Sequence, residues 1–148
     1  MKIKTTLLCF SLFLLAGAGF AQKKDDAQSI INGNVSIKKY YNKEELERLP
    51  KGELLTLYTE RIETLIETLP YIAFATKPGV TMSSLGIPND NSNKKVLEAK
   101  YKASSDFLSA LGEFQGKILP YSDTSKLISA ILFYEDILKS LHEYSNYN

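Results

Sequence analysis

"KGELLTLYTERIETLIETLPYIA" runs from Lys51 to Ala73, and the rest of the chain is placed by it. Leu54, Tyr58, Ile62, Leu65, Leu69 and Ile72 recur at spacings of 4, 4, 3, 4 and 3, the repeat of one face of an α-helix. Leu55 and Ile66 widen that stripe, which puts Glu60, Arg61, Glu63, Glu67 and Thr68 on the solvent side. Pro70 has no amide hydrogen to donate and crowds the carbonyl four residues back. Because the seam resumes at Ile72, the sequence predicts a kink, with helix persisting to about Ala75.

Upstream, Asn42 and Glu45 have the spacing of a capping box. "KEELERLP" then gives one or two helical turns closed by Pro50. Residues 22–42 carry a weaker pattern and read as a mobile or weakly structured segment. Asn32-Gly33 between Ile30-Ile31 and Val35–Ile37 fits a hairpin. Gly33 equally fits the residue after a short helix from Asp25 to Ile31, and both readings stay open.

Downstream lies "TKPGVTMSSLGIPNDNSN", Thr76–Asn93. A connection of this length is uncommon in a compact domain unless it is functional or disordered. Val80, Met82, Leu85 and Ile87 are too many apolar side chains for a solvated linker, and Pro78-Gly79 and Gly86-Ile87-Pro88 set turns around them. Residues 77–88 are therefore expected to be ordered, lying against the protein's own core or against another protein. Residues 89–93 read as a polar turn ending in a helix cap at Ser92 or Asn93. They do not make a calcium loop, because Lys94 and Lys100 stand where glycine and glutamate are required.

A second long helix is expected from Lys94 to about Leu119. Its apolar face is broad: Val96, Leu97, Tyr101, Ala103, Phe107, Leu108, Ala110, Leu111, Phe114 and Ile118. Pro120 ends it, and a third helix follows from about Thr124 to Tyr144 with a seam of Leu127, Ile131, Tyr134, Leu138 and Leu141. The short link between these helices implies antiparallel neighbours. The expected fold is all-α: an antiparallel up-down-up three-helix bundle, with an extra short N-terminal helix and a long ordered loop between the first two long helices. The bundle domain would be residues 43–148.

The chain opens "MKIKTTLLCFSLFLLAGAGFAQKK". Basic Lys2 and Lys4, an apolar run from Leu7 to about Phe20 and small residues at Gly19 and Ala21 have the layout of a secretory signal peptide, residues 1–21, cleaved between Ala21 and Gln22. The run is shorter than the roughly 20 residues a membrane-spanning helix needs, so no span is expected after cleavage. Cys9, the only cysteine, lies inside this leader and lacks the preceding small residue of a lipoprotein signal. The exported form would have neither disulfide nor thiolate chemistry. Losing Lys2 and Lys4 from 18 basic residues leaves 16 against 17 acidic ones. That balance offers no basic field for nucleic acid.

No catalytic constellation emerges, and no cofactor or metal site is expected. His142 is the only histidine and belongs to the last turn of the last helix, where a cation is favoured. Glu60, Glu63 and Glu67 share one helix face that is expected to be solvated. Gly112 and Gly116 each cost helix stability, which points either to close approach of a neighbouring helix or to a groove. Among nine tyrosines, Tyr40 and Tyr41 lie outside any firm element, and Tyr144 and Tyr147 are near the end. Tyrosine suits binding surfaces, so Tyr40 and Tyr41 join Val80, Met82, Leu85 and Ile87 as the candidate interaction surface. The function expected from this is an exported, periplasmic or extracellular, non-enzymatic accessory protein acting by protein–protein contact in the cell envelope, as a subunit of a larger assembly. A small-ligand carrier or sensor and an inhibitor or immunity-type protein are the alternatives.

Overall fold

The computed structural model describes residues 27–33 and 36–144, apart from the His142 side chain. The expected leader, its Ala21–Gln22 junction, Asn34-Val35 and Tyr147 lie outside the described residues. The protein is all-α. Among the described residues four α-helices follow in order: α1 (Lys43–Glu47), α2 (Lys51–Thr68), α3 (Asn91–Ile118) and α4 (Thr124–Tyr144), with single 3-10 turns at Leu69–Tyr71, Ser83–Leu85 and Leu119–Tyr121. Among the described residues, β pairing is limited to an isolated antiparallel bridge between Ser29 and Thr81. No helix among them is long and apolar enough to cross a membrane.

Local chemistry sets the helix ends. The Asn42 side chain accepts from the Glu45 amide at 2.9 Å, and the Glu45 carboxylate accepts from the Asn42 amide at 3.0 Å, so α1 starts with a reciprocal capping box. The α-helical ladder of α2 ends at Thr68 instead of kinking and running on to Ala75. Pro70 can neither donate nor tolerate the carbonyl four residues back, and the chain turns through Leu69–Tyr71. At the start of α3 the cap is Asp90, not Ser92 or Asn93. Its carboxylate accepts from the Asn93 amide at 2.9 Å, a position where negative charge also meets the positive end of the helix.

The main packing joins α2 and α4, which run parallel. Leu54 meets Leu127, Ile128 and Ile131 at one end together with Leu46 of α1. Leu65 meets Leu138 and Leu141 at the other. Between them, Arg61 and Glu135 form an ion pair with 1% and 0% side-chain exposure. Arg61 was expected on the solvent face, and so were Glu67 and Thr68; all three are buried. Buried charge persists only when it is paired and hydrogen-bonded. Here Arg61 Nε and Nη2 donate to Glu135 Oε1 at 3.1 and 2.8 Å, Nη2 also to the Lys39 carbonyl at 2.6 Å, and Nη1 to Glu60 at 2.5 Å. The Tyr41 amide donates to Glu135 Oε2 at 2.8 Å. The pair thus buckles the segment around residues 39–41 across the two helices.

α3 runs antiparallel to α2. Lys100 near its start reaches Glu67 near the end of α2 at 3.1 Å, and Lys51 at the start of α2 donates to the Pro120 carbonyl at 2.7 Å. Its lateral packing is with α2, and it shares no extended interface with α4. The short link makes α3 and α4 successive in the chain, but the apolar stripe of α4 is already occupied by α2.

Candidate interaction surface

The broad apolar arc of α3 divides into two edges. Leu97, Leu108, Leu111 and Gln115 are buried or half-buried along the edge that faces the rest of the protein. At about 100° per residue, a second stripe lies roughly a quarter-turn away: Val96, Ala103, Phe107, Ala110, Phe114 and Ile118. All six are exposed, with Phe107 and Phe114 at 53% and 63%. Tyr121 lies three residues beyond Ile118 and is 88% exposed. The apolar residues of this helix were legible in the sequence. Their division into a covered and a bare edge was not, because that depends on where α2 lies.

The start of this stripe opens onto an apolar groove of about 170 Å³. Ile30, Tyr71, Phe74, Met82, Leu85, Ile87, Val96, Leu97 and Lys100 line it. The Lys100 ammonium is turned away from the stripe. It pairs with Glu67 and sits 4.6 Å from the Tyr71 ring centre and 4.5 Å from that of Tyr101. The Tyr101 hydroxyl donates to the Ser29 carbonyl.

Val80, Met82 and Leu85 pack on Ile30, Ile31 and Ala75 in a small second core. The Ile30 amide donates to the Val80 carbonyl at 2.8 Å, and the Ser29 hydroxyl to the same carbonyl at 3.1 Å. The segment at 29–31 therefore pairs with the long loop, and residues 27–31 are not helical. Gly79 and Gly86 take φ of 107° and 74°, a backbone region that side chains disfavour, and they turn the loop back over Ile31. Ile87 is half-buried at the groove. Tyr41 packs on the Leu54–Ile131 core, and Tyr40 on the Leu65–Leu141 core. A Cβ added at Gly112 or Gly116 would meet no atom of the described residues within 4 Å, so none of the described helices approaches either glycine.

Polar groups cluster in a cleft of about 310 Å³ whose lining includes Lys38, Glu60, Glu63 and Glu67. Glu60 and Glu67 are already paired to Arg61 and Lys100. Burial, and then the adjacent Glu60, pushes the Glu63 carboxyl up. Among the described residues no three His, Cys, Asp or Glu side chains are grouped to hold a metal ion. No protein-family model matches the sequence, and no curated protein or solved structure is significantly similar to it.

Proposed function

We propose that this chain is an exported, non-enzymatic helical accessory protein that acts by protein–protein contact in the cell envelope, as a subunit of a larger assembly. The observation that carries the reading is the bare stripe of α3, from Val96 to Ile118 and on to Tyr121. Contiguous exposed apolar surface on a folded chain marks an interaction site, and Phe and Tyr are the residues enriched at such sites. The arrangement we propose is an up-down-up three-helix bundle with α1 across one end, left open along α3 where the partner lies. The leader layout of residues 1–21 supports export.

A photo-crosslinking side chain at Phe114, introduced in the native cell envelope, tests this. The expected result is a discrete covalent adduct that disappears when Phe107 is changed to Lys. Recovery of the uncrosslinked chain alone would overturn the reading. The apolar groove favours a second reading, a small-ligand carrier, since apolar depressions with few polar groups are the usual ligand sites. Binding of a hydrophobic probe that is lost in Phe74→Ser, with no adduct from Phe114, would select it.

A further inference from the structure

Resting on that reading of the α3 stripe, we infer that its occupant is a second copy of this chain, with the two α3 helices paired antiparallel and each Tyr121 seated in the other copy's apolar groove. The stripe repeats at nearly 3.5 residues over about three heptads, the spacing of a helix-pairing seam. Its large and small members are placed so that an antiparallel copy interlocks with it. When Phe107 lies opposite Ala110 of the partner subunit, Phe114 falls opposite Ala103 of the partner subunit. In that same register Tyr121 falls opposite Val96 of the partner subunit, a residue of the groove wall. The two-fold relation repeats every pair.

The most exposed of the large apolar side chains thus meets a hole of about 170 Å³, room for one aromatic side chain. Lys100 falls opposite Lys117 of the partner subunit in this register; its ammonium is turned out of the seam, held by Glu67 at 3.1 Å, and leaves its aliphatic stem for contact. On the outer flank the register places Glu113 of the partner subunit midway between Lys102 and Asp106. Asp106, closer to the two-fold axis, is matched by its own Lys102 at 2.8 Å.

Cysteine pairing in the full chain, with Cys9→Ser as background, tests the register. Val96→Cys and Tyr121→Cys chains should form a disulfide-linked dimer when mixed. Neither should link to itself, since like positions at the ends of the stripe lie about 38 Å apart in this pairing. Tyr121→Ala should raise the dimer dissociation constant about tenfold or more in sedimentation equilibrium. Self-linking of Val96→Cys would overturn the antiparallel register. A chain that stays monomeric up to about 100 μM would overturn the inference. If such a monomer is still captured by a different protein through Phe114 in the envelope, the interaction reading stands without self-pairing. If nothing is captured, both fall.

Discussion

Arg61 on α2 and Glu135 on α4 lie 2.8 Å apart, Nη2 to Oε1, with both side chains out of solvent. Glu135 also accepts from the Tyr41 amide and Arg61 donates to the Lys39 carbonyl, so one ion pair orders three segments. Glu135→Leu alone removes the acceptor of Arg61 Nε and of the Tyr41 amide from a buried site, leaving Arg61 only Glu60 and the Lys39 carbonyl, and should cost about 3 kcal/mol of unfolding free energy. Arg61→Met combined with Glu135→Leu should recover most of that loss. Urea unfolding of the two single variants and the double variant measures the coupling. Simple addition of the single effects would show that the pair does not act as a unit.

Tyr134 is pushed up to about 12 from 10.0, first by burial and then by its hydrogen-bonding partner Tyr58 at 3.3 Å. The folded protein therefore holds the neutral phenol more strongly than the unfolded chain does. That contribution is fully present below pH 10 and is lost as pH rises toward 12. The fall in stability over this window should be smaller in Tyr134→Phe. Tyr58→Phe removes one cause of the shift, so phenolate absorbance of Tyr134 should appear at lower pH.

Ile31 is fully buried in the small core beneath the long loop. Ile31→Ala should cost about 2–5 kcal/mol, felt first locally. Hydrogen exchange at the Ile30 amide, which is bonded to Val80, should quicken while the amides of α2 and α4 keep their protection. Uniform loss of protection would show that the loop and the helix pair unfold as one unit.

Gly116 lies in the interior of α3 with open space where a side chain would go. Gly116→Ala should therefore stabilise the protein by about 0.5–1 kcal/mol, the difference in helix propensity. The gain is read as a higher denaturant midpoint with an unchanged slope.

Phe114 is 63% exposed, and Phe114→Ser should change the stability of the isolated monomer by no more than about 0.5 kcal/mol. The same change should reduce binding of an environment-sensitive hydrophobic dye. A large loss of stability would mean that the ring supports the fold from within.

How far the sequence could be read differs along the chain. The Asn42–Glu45 capping box and the extent of the last helix were legible because they rest on residues a few positions apart. The Pro70 stop was half legible: the apolar repeat continues through Ile72, yet the backbone cannot. Arg61 and Glu67 were misplaced for a different reason. Charged side chains at helical spacing read as a wet face until Glu135 and Lys100, brought from other helices, make burial tolerable.

By itself, then, the sequence determined the helical elements, their order and the apolar content of each face, since periodicity, caps and prolines act over one or two turns. Only the tertiary structure decided which apolar surface found a partner within the chain. Val80, Met82 and Leu85 gained Ile30 and Ile31 as neighbours, while Phe107 and Phe114 stayed exposed. Burial is a property of what lies opposite, and what lies opposite comes from distant parts of the chain.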